Sequence, residues 1–212
     1  MSVKTTKVDK LPTIRRLPTY LRILRDLSSK GKEFVSSNQL AEVVNIDSIL
    51  VRKDLVLTGI VGTPRIGYHI SDLIRSIEDF LGWGDPLNAF LIGAGHLGTA
   101  ILGYKEMSNY GHKIVAAFDK DPRIIDQSIH GVRVFNIARA PELLKELNVR
   151  LAILTVPAEE AQEATDLLVE AGIQGIWNFT SANIDVPDGI TMHKEDLISG
   201  LAVLSVKMAR RV

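Results

Sequence analysis

The chain has 212 residues, of which 46% are apolar and 24% are charged, and it contains no cysteine. This composition is typical of a globular protein and argues against a mainly disordered chain, while the lack of cysteine excludes disulfides, thiolate chemistry and cysteine-ligated metal centres. No apolar run approaches the roughly 18 residues that a transmembrane helix needs, and the lysine-containing N-terminus lacks the apolar stretch of a signal peptide. We therefore expect a cytoplasmic protein that does not enter a membrane.

The formal net charge of zero hides a division of charge along the chain. Residues 1–75 carry 13 lysines and arginines against 7 acidic residues, a net of +6, whereas residues 76–212 carry 12 against 18, a net of −6. Such a division favours two modules with different partners, and a basic module suits the phosphate backbone of nucleic acid. The alternative is that surface charge has segregated by chance.

Three helices are predicted in the first part of the chain. We expect residues 1–12, which are polar and rich in lysine, to form a flexible arm. Apolar residues at three- and four-residue steps then predict a helix over residues 11–30. A pair of serines offers an N-cap for a short helix over residues 38–44, and Asp47 or Ser48 caps a third helix that ends before a glycine. In the second helix, the residues expected to be buried are Leu40, Val43 and Val44.

The second and third helices are joined by a short turn and form a helix-turn-helix pattern. Two short segments between Gly62 and Ile70 predict a small β-hairpin, the wing of a winged-helix domain whose third helix enters the major groove of DNA. Helix-turn-helix shapes also occur in proteins that bind no DNA, and the pattern leaves that alternative open. The candidate DNA-binding residues are Arg15, Arg16, Ser48, Arg52, Lys53, Arg65 and Tyr68.

A glycine-rich loop follows the first buried strand of the second module. The apolar run at residues 88–92 predicts a parallel strand, and it leads into Gly-Ala-Gly-His-Leu-Gly at residues 93–98 and a helical pattern to about Ser108. A second strand over residues 114–118 ends in Asp119, 21 residues after the last glycine. This arrangement is typical of a dinucleotide site, where glycines admit the pyrophosphate and the acid binds the ribose hydroxyls, which favours NAD over NADP. The alternatives are a glycine turn that binds nothing and a site for another phosphorylated ligand such as coenzyme A.

The alternation of strand and helix continues and predicts a doubly wound parallel sheet of the Rossmann type. Strands are predicted over residues 130–135, 151–156 and 175–178, and helices over residues 141–147 and 158–172. Because ligands of such sheets bind beyond the carboxyl ends of the strands, the loops there are candidate nicotinamide contacts, although each could also be an ordinary connection. The candidate cofactor-binding residues are Gly93, Ala94, Gly95, His96, Leu97, Gly98, Asp119, Lys120, Thr155, Val156, Pro157, Asn178, Phe179 and Thr180.

These elements divide the chain into three parts. Residues 1–82, which end in a helix over residues 71–82, form the predicted winged-helix domain, and residues 83–193 form the Rossmann domain. Residues 194–212 form a terminal helix. Its apolar surface is so wide that it needs a partner, either its own domain or another subunit.

The sequence contains no recognisable catalytic machinery. The histidines are scattered, and no pair has the spacing of metal ligands. Tyr104 lacks the lysine four residues further on that short-chain reductases use. A cofactor module without a catalytic site, fused to a DNA-binding module, indicates a sensor whose signal is the cofactor. The alternatives are an NAD-dependent oxidoreductase with an appended basic domain and a regulator that senses another nucleotide, such as an acyl coenzyme A.

A combination of motifs from about Leu11 to the C-terminus is specific to one family. The matching segments are Arg16-Leu17, Tyr20–Arg22, Val35–Ser37 with Leu40, Val51–Leu55, Gly67-Tyr68, Leu91–Gly98, Ala117–Asp119, Leu154–Ala158 and Gly172–Thr180. Together they resemble the Rex family of redox-sensing transcriptional repressors. The resemblance implies a homodimer whose winged-helix domains bind operator DNA, whose Rossmann domains bind NAD(H), and whose terminal helix swaps to the partner subunit.

The resemblance also implies a switch, in which NADH releases the operator and NAD⁺ permits binding. Tyr104 matches a family tyrosine near the nicotinamide, and Asp196 matches an aspartate that meets it from the swapped helix. The chain departs from the family pattern at Val56–Gly59, after the third helix, and at Thr63–Ile66, where the wing has one cation instead of two. We expect these departures to alter operator sequence and affinity.

Overall fold

The computed structural model describes residues 10–210, except for the side chain of Leu197. The chain divides into two compact units between Asp85 and Pro86. Most of the predicted N-terminal arm, residues 1–9, lies outside the described residues. Within residues 10–210, every helix is too short or too polar to cross a membrane. The same part of the chain has no group of three or more metal-ligating side chains that could hold an ion.

The N-terminal unit packs helices around an apolar core. Its elements are α1 (Leu11–Ser29), β1 (Phe34–Val35), α2 (Ser37–Val44), α3 (Ser48–Val56), β2 (Tyr68–His69) and α4 (Ile70–Leu81). The apolar face of α1 recurs at helical spacing, as predicted, and it is removed from water against α2, α3 and α4. The fully buried side chains of this core include Leu17, Tyr20, Leu21, Leu24, Leu40, Val51, Leu55, Leu73 and Ile77.

The caps of α2 and α3 confirm the predicted helix-turn-helix. The hydroxyl of Ser36 accepts a hydrogen bond from the N–H of Gln39, whose side chain in turn accepts one from the N–H of Ser36. Asn45 ends α2 in the left-handed region, with a φ of 53°. The Asp47 carboxylate then accepts a hydrogen bond from the N–H of Ile49 at 2.6 Å and begins α3.

The buried face of α2 differs from the predicted one at Val43. Its prediction as a buried residue is wrong, because 66% of it is exposed. The buried stripe runs through Ser37, Leu40 and Ala41 to the half-buried Val44, at positions i, i+3, i+4 and i+7. Val43 lies to one side of that stripe on a helix of 3.6 residues per turn, so it faces solvent.

The predicted wing hairpin is shorter than expected, with one antiparallel bridge between its two segments. β2 pairs antiparallel with β1 rather than with the segment that precedes it. That segment forms an isolated bridge between Thr63 and Gly67, closed by backbone hydrogen bonds of 2.7 and 2.9 Å. The turn inside the bridge contains Pro64. Arg65 lies in the same turn, with a φ of 65°.

The C-terminal unit is a doubly wound α/β sheet, as predicted. Its elements are β3 (Leu87–Ile92), α5 (His96–Leu102), β4 (His112–Asp119), β5 (Ser128–Ile129), β6 (Val132–Asn136), α6 (Ala140–Glu146), β7 (Leu151–Leu154), α7 (Ala161–Ala171), β8 (Gly175–Asn178), β9 (Thr191–Lys194) and α8 (Leu197–Ala209). Across the described residues the sheet order is β5-β6-β4-β3-β7-β8-β9. Neighbouring strands run parallel except β5 with β6, which are antiparallel.

Both faces of this sheet are covered, which explains the unbroken apolar run of β3. Phe90 and Ile92 pack in the cluster that contains α6 and α7. Ala89 and Leu91 pack in a second cluster, together with Ile101 of α5. Because β4, β3 and β7 are adjacent, the loops that follow their carboxyl ends meet at one edge of the sheet.

The C-terminal unit differs from the prediction in one helix and in its edge strand β9. The helix after the glycine loop ends at Leu102, and a separate 3-10 helix over Lys105–Tyr110 follows it, because Gly103 is a weak helix former. The edge strand β9, which pairs with β8, was not predicted. Three of its four residues, Thr191, His193 and Lys194, are polar, so no apolar run signals it.

Candidate nucleic-acid and cofactor sites

The acid in the third helix of the helix-turn-helix is part of the core. Asp54 of α3 is 1% exposed. Its carboxylate accepts hydrogen bonds from Arg16 Nε at 2.6 Å and Arg16 Nη2 at 2.7 Å, from the Tyr20 hydroxyl at 2.7 Å and from the Thr13 hydroxyl at 2.8 Å. All three donors lie on α1, so this network fixes α3 against α1.

The network keeps Asp54 ionised although it is buried. Burial favours the neutral acid, but the hydrogen bonds from Arg16, Tyr20 and Thr13 outweigh it and hold the pKa of Asp54 below its ordinary value. Burial and the hydrogen bond to Asp54 raise the pKa of Tyr20 well above its ordinary value. Arg16 is therefore committed to a structural ion pair, and its role as a DNA contact stays a prediction.

The other candidate DNA-binding residues divide by exposure. Ser48, the first residue of α3, and Tyr68 of β2 are half-buried. The Arg52 guanidinium lies 3.4 Å from the Ser37 hydroxyl. Two apolar side chains near the start of α3, Ile49 and Leu50, are also exposed and were not singled out in the sequence. The exposed cations among the candidates are Arg15, Arg52, Lys53 and Arg65.

The glycine loop between β3 and α5 has the geometry that its sequence predicts. Gly93 has a φ of 94°, and a Cβ there would lie 2.9 Å from Val156. A Cβ on Gly98 would lie 2.0 Å from the carbonyl oxygen of Gly93, so only glycine allows α5 to approach the strand this closely. A Cβ on Gly95, by contrast, would meet no described atom within 4 Å. The loop is thus closed toward the sheet and open at the position that a phosphate would approach.

Side chains from the two neighbouring strands fix this loop. The Thr155 hydroxyl, after β7, donates a hydrogen bond to the carbonyl oxygen of Gly93 at 2.7 Å. The Asp119 carboxylate, at the end of β4, accepts one from the N–H of Ala94 at 2.7 Å through Oδ2. Its Oδ1 accepts from the N–H groups of Lys120 and Asp121 at 2.8 and 2.9 Å. Since each carboxylate oxygen has two acceptor positions, Oδ2 keeps one for a ligand hydroxyl.

A cavity of about 760 Å³ opens beside the loop, at the carboxyl ends of β3, β4 and β7. This volume lies in the range of small-molecule sites, roughly 300–1,000 Å³. The predicted residues that line it are Gly93, Gly95, Asp119, Lys120, Thr155, Val156 and Pro157. The residues that line it without having been predicted are Ile92, Phe118, Asp121, Ile124, Ile137, Glu160, Glu163, Ala164 and Leu167. Most of these unpredicted residues lie in the first turns after β4, β6 and β7. Because ligands of doubly wound sheets bind beyond the carboxyl ends of the strands, the position of these turns in the sequence could have indicated them.

The remaining candidate cofactor residues do not line this cavity. The Tyr104 hydroxyl donates a hydrogen bond to Glu106 at 2.7 Å. Asn178 is buried and accepts a hydrogen bond from the N–H of Thr180 at 2.7 Å. Asp196 caps α8 by accepting one from the N–H of Ile198 at 2.9 Å. The others outside the lining are Ala94, His96, Leu97, Gly98, Phe179 and Thr180.

Charged side chains stand around the cavity in oppositely charged pairs. Lys120 forms an ion pair with Glu160, which raises the pKa of Lys120. Asp121 forms an ion pair with Arg123 at 2.7 Å, which lowers the pKa of Asp121. With Asp119 and Glu163, the lining has four acids and one base.

Comparison with known proteins identifies the family of the chain. The family models described as "Putative DNA-binding protein N-terminus" and "CoA binding domain" match residues 11–55 and 85–182. The redox-sensing transcriptional repressor Rex of Treponema denticola is 47% identical over 202 residues, which cover 95% of this chain and 96% of that protein. This chain belongs to the Rex family of redox-sensing transcriptional repressors. The resemblance stated from the sequence is thereby confirmed.

Further Rex proteins and solved structures of a Rex-family repressor support the same family assignment. Rex of Porphyromonas gingivalis is 40% identical, covering 98% of this chain and 94% of that protein. The structure of RSP, a Rex-family repressor, in complex with β-NAD⁺ and operator DNA matches with a TM-score of 0.85 at 31% identity, over 93% of this chain and 91% of that one. RSP in complex with β-NADH matches with a TM-score of 0.83 at 30% identity, over 95% and 94%. The predicted fold class is therefore confirmed over nearly the whole chain.

Proposed function

We propose that this Rex-family chain binds operator DNA as a homodimer and releases it when NADH binds, so that transcription follows the NADH/NAD⁺ ratio. The observation that carries the proposal is the open cavity at the glycine loop, with Asp119 at its edge, in a chain that also has a helix-turn-helix. RSP, solved with NAD⁺ and operator DNA and with NADH, supports the same pair of ligands here.

The charge of the cavity favours NAD(H) over the alternative nucleotides. Asp119 has one acceptor position left for a ribose hydroxyl. A phosphate on that ribose, as in NADP(H) or coenzyme A, would meet the like charge of Asp119, which lines the cavity. A coenzyme A is therefore the weaker candidate, although the matching family model carries that name.

The N-terminal unit has the side chains that DNA binding requires. Arg52 and Lys53 are exposed on α3, and Arg15 and Arg65 add exposed cations. Cations of this kind neutralise phosphates and supply most of the nonspecific affinity. Ile49 and Leu50, exposed on the same helix, suit apolar contact with thymine methyl groups in the major groove.

The exposed apolar surface of α8 supports homodimerisation. Its exposed apolar side chains are Ile198, Leu201, Val203, Leu204, Val206 and Met208, each 50–68% exposed. A helix that is apolar on so much of its surface needs a partner, and we propose that it docks on a second copy by exchange. The chain then acts as a regulator and not as an enzyme, which agrees with the transcriptional role of its relatives.

Operator binding with and without NADH tests the proposed function. An operator is first selected from random duplexes in the absence of NADH, and the full chain is then titrated onto it at fixed salt. We expect NADH to weaken binding by about 5–150-fold relative to NAD⁺ or no ligand, the usual range of allosteric coupling. A scrambled duplex of the same length is the control. Equal operator affinity under all three conditions would contradict the proposal, and consumption of NADH by the chain with a substrate would favour the oxidoreductase.

Replacing Asp119 by asparagine is expected to weaken NADH binding by about tenfold or more, the size of one or two charge-assisted hydrogen bonds. The variant loses the carboxylate charge that strengthens the hydrogen bond from the Ala94 N–H. It also loses the free acceptor position of the carboxylate for the ribose hydroxyl. Fluorescence titration of NADH measures the effect. Asp188→Asn, which removes an exposed carboxylate of the same unit outside the cavity lining, should bind NADH like the unaltered chain. Equal NADH affinity in both variants would exclude Asp119 from the site.

A further inference from the structure

One ion pair joins two strand ends at the cavity. Lys120 directly follows Asp119 at the end of β4, and Glu160 lies in the turn between β7 and α7. The Lys120 ammonium donates a hydrogen bond to Glu160 Oε1, and both residues line the cavity. The Lys120 side chain is 68% exposed and that of Glu160 26% exposed, so the acid is the more firmly packed member.

The position of Lys120 gives this pair a chemical consequence. A cation directly after the ribose-binding acid is well placed to attract a 2′-phosphate, since basic side chains accommodate that group in NADP sites. Here the ammonium already has an anionic partner in Glu160, and Asp119 and Glu159 add to the negative potential around it. A 2′-phosphate would have to displace Glu160 before it could gain the lysine, and the displaced carboxylate would then face the phosphate as a like charge.

We propose that Glu160 is a positioning residue that sets the preference of the site for a dinucleotide without a 2′-phosphate, by holding the Lys120 ammonium in an ion pair. This inference rests on the proposed NAD(H) function and extends it, because it assigns selectivity to a residue outside the glycine motif and its acid. Asp119 repels the extra phosphate directly, whereas Glu160 acts by withholding a cation that would attract it.

The ratio of NADPH to NADH affinity tests this role. In the full chain, Glu160→Gln frees Lys120, and we expect NADPH affinity to rise by about tenfold relative to NADH, as for a single charge-assisted contact. Glu163→Gln is the matched control, since it removes the same charge from the cavity lining without an ion pair to Lys120 among the described residues. A purely structural role for Glu160 would lower both affinities together and leave the ratio unchanged.

A second variant separates the ion pair from the general field. The double variant Lys120→Met with Glu160→Gln should return the ratio to that of the unaltered chain, because the released cation is gone. An unchanged ratio in Glu160→Gln, or the same increase in Glu163→Gln, would overturn the role of Glu160. In either case, NADH binding by the unaltered chain would leave the proposed function standing. Failure of the unaltered chain to bind NADH would instead overturn the proposed function, and this inference with it.

Discussion

Replacing Asp54 by alanine is expected to lower the free energy of unfolding of the N-terminal unit by about 3 kcal/mol. The variant removes the carboxylate that accepts hydrogen bonds from Thr13, Arg16 and Tyr20. Tyr20 is fully buried, so its hydroxyl would lose its partner inside the core, and the partly exposed Arg16 would lose its counter-charge. Urea unfolding of the full chain, followed by circular dichroism, measures the shift of the midpoint.

The same carboxylate should make stability depend on pH. Its pKa is lowered in the folded chain, because hydrogen bonds to the ionised form outweigh burial. A group with a lowered pKa contributes stability that is fully present above its unfolded pKa and is lost as the pH falls through the folded pKa. The difference in stability between the unaltered chain and Asp54→Ala should therefore be constant near neutral pH and shrink below about pH 4.

Two further variants test whether the effect belongs to this network. Asp79→Ala removes an exposed carboxylate from α4 of the same unit, and its stability should stay within about 0.5 kcal/mol of the unaltered chain. Asp54→Asn keeps one acceptor oxygen without the charge, and its free energy of unfolding should lie between those of Asp54→Ala and Asp79→Ala. If Asp54→Ala unfolds at the same urea concentration as Asp79→Ala, the network does not hold α3 on α1.

The features that sequence predicted well are local ones. The capping box at Ser36 and the cap at Asp47 lie within three residues of the groups that they bind. The glycine loop is also local, because each glycine has a steric reason within one strand-turn-helix unit, as Gly93 and Gly98 show. Such features can be predicted without knowledge of the fold, since the interacting groups are close together in the chain.

The features that sequence missed depend on residues far apart in the chain. Asp54 follows Arg52 and Lys53 in the third helix, and its own segment gives no sign of its partners on α1, which are 34–41 residues away. Glu160 was not a candidate at all, because Lys120 is 40 residues before it and only the order of the sheet brings them together. A charged residue in a motif has the same letter whether it faces a ligand or fills a core, so only tertiary contacts distinguish the two roles.

Replacing Leu201 by glutamate is expected to convert the proposed homodimer into a monomer and to lower operator affinity by about hundredfold or more, because two linked half-site contacts become one. Leu201 lies on α8 between Ile198 and Leu204, and all three are more than half exposed in the single chain. Burying a carboxylate in an apolar contact costs several kcal/mol. Analytical ultracentrifugation measures the oligomeric state, and titration of the selected operator measures the affinity.

Lys207→Glu is the matched control, because it places the same residue on the same helix at a different angle. Lys207 and Gly200 are seven residues apart and so share a narrow non-apolar strip of α8. Lys207→Glu should stay dimeric, whereas Leu201→Glu should sediment as a monomer. The N-terminal unit of the Leu201→Glu monomer should unfold at the same urea concentration as that of the unaltered chain. A monomeric unaltered chain, or dimers of equal strength in both variants, would contradict docking through α8. The exposed apolar surface of the helix would then need a partner other than a second copy.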